Sequence, residues 1–149
     1  KAIKMNSEFA LSYRYLGDVF EQTRDLVKAL ENWEKFALKD LNGGTVVYAK
    51  IESALFDLGR FSEVEKFYRK ILQFNPSNFE ATIRLANVLE EKGESAAALA
   101  LIENASSNEE NDIRIDLMKL KLSIPTATPI ELGHQIDAII NKKSKNSND

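Results

Sequence analysis

The sequence predicts an all-α chain, an α-solenoid of antiparallel helix pairs. Three observations carry that reading: a repeat of 34 or 35 residues, helical spacing of the apolar residues in each repeat, and glycine at the midpoint of two of the pairs. Gly93-Glu-Ser-Ala-Ala-Ala-Leu-Ala-Leu-Ile echoes Gly59-Arg-Phe-Ser-Glu-Val-Glu-Lys-Phe-Tyr, and both echo Arg24-Asp-Leu-Val-Lys-Ala-Leu-Glu-Asn-Trp. A unit of this size is one supersecondary element that cannot bury its apolar face alone, so it must stack on its neighbours.

Each element follows in order. Ala2 to Ser7 reads as the last turn of an earlier unit's second helix, so residues 1–9 are expected to close an upstream repeat. Three repeats then span 10–44, 45–78 and 79–112. Their first helices carry stripes at Tyr13, Leu16 and Phe20, at Tyr48, Ile51 and Leu55, and at Leu85, Ala86 and Leu89. Spacings of three and four residues put each stripe on one helix face. Their second helices carry Leu26, Ala29, Leu30, Trp33 and Phe36, then Phe61, Val64, Phe67, Tyr68, Ile71 and Leu72, then Ala98, Leu99, Ile102 and Ala105. Gly59 and Gly93 fall between the helices of their pairs, where a positive φ ends a helix at low cost. Asn42-Gly43-Gly44 carries one inserted residue and reads as a turn.

Beyond Asn111 the pattern loosens. Ile113, Ile115, Leu117, Met118, Leu120, Leu122 and Ile124 make a helix that is apolar nearly all round, expected to be covered on both sides. Thr128-Pro129-Ile130-Glu131 has the signature of a capping box with proline at the first helical position. Residues 113–141 are therefore expected to form a degenerate capping pair, and the polar stretch 142–149 a disordered tail.

With that register fixed, the residues resemble the tetratricopeptide repeat family. Leu16-Gly17, Phe20, Ala29 and Trp33 match its pattern, as do Gly59, Phe61, Tyr68 and Pro76, and Leu85, Ala86, Gly93, Ala98 and Ala105. Arg24 stands where glycine is usual, and Leu41 and Glu110 where proline is usual. The resemblance covers residues 1 to 110 and implies a right-handed superhelix whose first helices line a concave groove for a protein partner.

Composition narrows the alternatives. The 149 residues are 44% hydrophobic and 29% charged with a formal net charge of −3, so no basic field favours nucleic acid. The longest apolar run, Ala96 to Ile102, is far shorter than the roughly 20 residues of a membrane helix. There is no cysteine and one histidine, His134, so the usual sets of metal ligands cannot be assembled and no cofactor is expected. Glu90-Glu91 and Glu109-Glu110 are adjacent on helices, where neighbours point about 100° apart, and read as solvated surface. Gly43-Gly44 lacks the lysine and the preceding strand of a phosphate loop. Lys142, Lys143 and Lys145 are too few for a polyanion site. Trp33 falls at a packing position of its helix and is expected in the core. No catalytic set emerges, and the chain is expected not to be an enzyme.

The family's groove positions carry over to Leu11, Arg14, Asp18 and Gln22, to Val46, Ala49, Lys50, Ser53 and Phe56, and to Glu80, Ile83, Arg84, Asn87 and Glu91. The basic residues Arg14, Lys50 and Arg84 among apolar ones suit an extended peptide or a partner helix. Asp18 and Glu80 stand where the chaperone-binding members carry Asn and Lys, so their clamp for a terminal carboxylate is broken. Self-association through the upstream face and residues 113–124 is the alternative.

A narrower likeness rests on Leu16-Gly17-Asp18, Trp33-Glu34, Tyr48 to Leu55 and Leu85 to Gly93. These phrases are similar to the later repeats of the bacterial lipopolysaccharide assembly protein B family. Membership would imply cytoplasmic repeats behind a membrane anchor, a following zinc module with paired Cys-x-x-Cys motifs, and a role with a membrane AAA protease in controlling lipopolysaccharide synthesis. Neither the anchor nor the cysteines lie in these residues.

Overall fold

The computed structural model describes residues 2–106 and 112–147, with side chains placed for 8–105 and 112–143. Every regular element among them is helical: α1 (Ala2–Gln22), α2 (Leu26–Lys39), a 3-10 turn (Gly43–Val47), α3 (Tyr48–Asp57), α4 (Glu63–Phe74), α5 (Phe79–Glu91), α6 (Ser95–Ser106), α7 (Ile113–Ser123) and α8 (Pro129–Ser147). The chain divides into two compact units, Lys1–Ala81 and Thr82–Asp149.

In the first unit α1 packs on α2, α2 on α3, and α3 on α4. Its core is the predicted second-helix stripes, Ala29, Leu30, Trp33, Phe36, Val64, Phe67, Tyr68 and Ile71, joined by Tyr48, Ile51 and Leu55. Tyr48 sits edge-on to Phe67 and Tyr68, with ring centroids 5.7 and 5.3 Å away, a favoured aromatic geometry. In the second unit α6 packs on α7 and α7 on α8, with Leu85, Ala86, Leu89, Ala98, Ile102, Ile115, Met118 and Leu122 buried.

One backbone path closes three of the turns. Gly59 and Gly93 have φ of 68° and 83°, and Arg24 reaches 62° in the same place. Each is followed by an N–H that bonds back to a carbonyl five residues earlier: Asp25 to Phe20 at 2.9 Å, Arg60 to Leu55 at 2.7 Å, Glu94 to Leu89 at 2.8 Å. This is the Schellman closure, which satisfies carbonyls that a helix end leaves open. Two of these turns carry the expected glycine, and the third uses the same path with an arginine.

Asn78 joins three segments of the first unit. Its Nδ2 donates to the Leu41 carbonyl at 2.9 Å and to the Tyr48 hydroxyl at 3.1 Å, and its Oδ1 accepts from Ala81 N–H at 3.1 Å. The last bond caps the start of α5. Only 6% of Asn78 is exposed, so each of these bonds replaces one that water cannot supply.

Four expectations are corrected. The expected boundary between residues 9 and 10 does not exist, because α1 continues from Ala2 to Gln22; no proline interrupts it and Gly17 is sealed by packing. Tyr13 and Leu16 are not buried like Tyr48 and Ile51: Leu16 is 45% exposed and Ile51 fully covered. Helix α3 packs against both α2 and α4, whereas the main packing partner of α1 among the described helices is α2. Helix α7 packs on both α6 and α8, yet it is not covered all round, since Ile113 and Leu117 stay open. The tail expected to be disordered is helical through Ser147; Lys142 is held to Asp116 of α7 at 3.2 Å, and lysines near a C-terminus suit the helix dipole. Glu109-Glu110 and the end of the third repeat lie outside the described residues.

The capping box appears as expected: Glu131 Oε2 accepts from Thr128 N–H at 2.8 Å and Thr128 Oγ1 from Glu131 N–H at 3.3 Å. His134 is exposed on α8.

Candidate functional site

The candidate surface of the first unit starts from Gly17. A Cβ there would stand 2.4 Å from Trp33 Cδ1 and Nε1, so only glycine lets the indole of α2 lie against α1. Trp33 is 1% exposed and belongs to the core, as its register implies. Its Nε1–H donates to Asp18 Oδ1 at 3.1 Å. Lys50 of α3 donates to the same oxygen at 3.0 Å and to Glu21 Oε2 at 2.8 Å, and its Nζ lies 5.1 Å from the Trp33 ring centroid. Asp18 and Glu21 are three residues apart on α1 and face one ammonium together. The Glu21 hydrogen bond, with a further contribution from Asp18, raises the Lys50 ammonium above the ordinary lysine range against the opposing effect of burial.

Beside this cluster is a cavity of about 250 Å³ lined by Glu21, Leu26, Trp33, Ala49, Lys50, Ser53, Ala54 and Asp57. Leu26, Trp33, Ala49 and Ala54 give it apolar walls. Glu21, Lys50, Ser53 and Asp57 give it a polar ring. Past it, Phe56 is 70% exposed with its ring 6.3 Å from that of Phe61. Val46, on the 3-10 turn before α3, is 56% exposed.

The sequence-derived positions therefore separate. Leu11, Arg14 and Asp18 on α1 are half-buried, Val46, Ser53 and Phe56 are exposed, and Lys50 is half-buried. Lys50 was expected as a cation offered to a partner; instead two carboxylates of α1 hold it. Asp18 likewise serves this internal cluster. Ile83, Arg84 and Asn87 belong to the second unit, where Ile83 is 8% exposed and so is a core residue rather than a surface one. Arg84 and Asn87 are half-buried on α5.

Sequence reasoning passed over Glu21 and Asp57. The available signal was positional: Glu21 lies one turn after Asp18, and Asp57 one turn after Ser53. Both continue faces already singled out.

Burial also pushes Glu34, on α2, above the ordinary carboxylate range; Arg60 opposes this, Glu63 adds to it, Lys70 opposes and Glu31 adds. Arg60 and Glu63 pair at 2.8 Å. Glu34 lies outside the cavity lining. No group of three His, Cys, Asp or Glu side chains suited to a metal exists among the described residues, and none of their helices is long and apolar enough to cross a membrane.

Residues 55–122 match the tetratricopeptide repeat family. That stretch is tetratricopeptide repeat sequence. Among solved structures, the TPR domain of Arabidopsis OM64 superposes with a TM-score of 0.55 at 18% identity, covering 78% of this chain and 96% of that one. That likeness supports the fold, a TPR-like α-solenoid. A search of curated proteins finds no match, so the narrower likeness to lipopolysaccharide assembly proteins gains no relative. Tetratricopeptide repeats are in general non-catalytic scaffolds for protein–protein interaction.

Proposed function

We propose that this chain recruits a protein partner by holding an extended segment of it along α1 and α3 of the first unit, without catalysing a reaction. The observation that carries this reading is an apolar-walled cavity lined by Trp33 and the exposed Ser53, with Phe56 and Val46 exposed on α3 and the 3-10 turn that leads into it. An extended peptide needs side-chain pockets at intervals together with exposed apolar area between them. The polar cluster of Asp18, Glu21, Lys50 and Trp33 fixes α1, α2 and α3 in place before a ligand arrives, which lowers the ordering cost of binding. The setting is the cytoplasm, on the strength of the sequence resemblance and the absence of cysteine.

Panning a displayed library of random decapeptides on the intact chain tests the proposal. Retained peptides should lose affinity for the double variant Ser53→Arg, Phe56→Glu, whose helicity and melting should match the parent because both residues are exposed. Peptides that bind parent and variant equally place the surface elsewhere and refute the assignment.

A further inference from the structure

We propose that the cavity between α1, α2 and α3 takes a lysine or arginine side chain of the partner, so that the recognised segment is basic at that point. This rests on the reading of the α1–α3 surface given above and specifies the chemistry of its ligand. The charges at the cavity are unequal. Glu21 and Asp57 line it with Lys50, and Asp18, outside the lining, pairs with Lys50 at 3.0 Å. Lys50 is already shared between Asp18 and Glu21. Two carboxylates thus hold the one ammonium, and Asp57 adds a third negative charge to the lining. Asp57 has no ion pair of its own among the described residues. The other cations nearby are committed or outside: Lys28 pairs with Asp25 at 3.4 Å, and Arg14 and Arg24 do not line the cavity.

The shape selects the same ligand. Leu26, Trp33, Ala49 and Ala54 offer apolar walls that suit an aliphatic stem, and Glu21 and Asp57 in the same lining suit its charged head. Lysine and arginine combine such a stem with such a head. A partner carboxylate would meet Asp57 and Glu21 with a repulsive charge, and rejection of this kind sets specificity as strongly as attraction does. The terminal-carboxylate mode is thus disfavoured here by the charges themselves.

The decapeptide selection separates this inference from the broader reading. Retained peptides should be enriched in Lys or Arg at one position. Synthetic copies measured by calorimetry should lose about tenfold in affinity when that residue becomes norleucine, or when the protein carries Asp57→Lys. Asp57 is exposed at the end of α3, so the variant should keep the parent's circular dichroism and melting curve. The Asp57→Lys protein should also no longer prefer basic over acidic peptides. Peptides that need Ser53 and Phe56 yet show no basic preference, or prefer Asp or Glu, overturn the inference and leave the surface assignment standing. Retention of no peptide at all overturns both.

Discussion

Replacing Gly17 by alanine should destabilise the first unit by about 2 kcal/mol, although alanine is the better helix former. The new methyl would stand 2.4 Å from Trp33 Cδ1 and Nε1 and 3.0 Å from Cε2, where carbon atoms normally stay about 3.5 to 4.0 Å apart. The indole is rigid and 1% exposed, so it cannot turn aside into solvent. Overpacking of this kind costs roughly 1 to 3 kcal/mol. Displacing the ring also weakens the Nε1–H bond to Asp18 at 3.1 Å, a bond to a charged acceptor that contributes about 1.5 kcal/mol or more when shielded. Against these stands a helix-propensity gain of about 1 kcal/mol. Urea unfolding followed by circular dichroism and by the fluorescence of the single tryptophan reads the difference in free energy, and thermal unfolding should show a melting temperature lower by about 4 to 8 °C. The same change in a Trp33→Leu background should cost little, because the opposing ring is gone. A neutral or stabilising Gly17→Ala in the parent, or an equal penalty in both backgrounds, refutes the reasoning.

Arg24→Gly should stabilise by about 1 kcal/mol, since a left-handed conformation costs a side-chain-bearing residue that much; chemical denaturation measures it, and a loss of stability would mean that the Arg24 side chain contributes a bond of its own. Asn78→Ala should cost about 2 to 3 kcal/mol, combining a lost helix cap with the loss of its bonds to the Leu41 carbonyl and the Tyr48 hydroxyl, and its thermal midpoint should fall accordingly. Glu34→Gln should raise the melting temperature at pH 7 and leave it unchanged near pH 4. The sign follows from linkage: a carboxyl raised on folding binds its proton more tightly in the native state, so stability falls as pH climbs from the unfolded value of 4.5 through the raised folded one, and glutamine removes that loss. Melting curves across this range that run parallel for parent and variant would show that Glu34 is not desolvated.

The hairpins were legible in the sequence because each apolar stripe has helical spacing and each recurs at a fixed period. Trp33, Tyr48, Ile51, Tyr68 and Leu85 all went to the core for that reason. The same logic failed at α1, since Leu16 has the spacing of a packed residue but spacing does not reveal whether a neighbour lies over it. It also stopped α8 too early, because Lys142 to Ser147 has no apolar pattern and the ion pair with Asp116 depends on a residue 26 positions away. The surface was legible in outline only. Register put Lys50 on the correct face, yet nothing local indicates that Asp18 and Glu21, about 30 residues earlier, converge on its ammonium. Charges read singly along a chain give their side of a helix, and only the packing of α1 on α3's neighbourhood shows which of them cancel.

In a linear array of repeats each unit ordinarily senses only the next. The Asn78 amide departs from that economy: the carbonyl after α2, the hydroxyl at the start of α3 and the first turn of α5 all terminate on a single side chain. Fraying at any one of the three removes a restraint on the amide that the other two share. Amide hydrogens of Ala81 and of the residues around Leu41 and Tyr48 should consequently exchange with solvent in one concerted opening, and this junction, rather than a single hairpin, sets the smallest piece of the first unit that can unfold by itself.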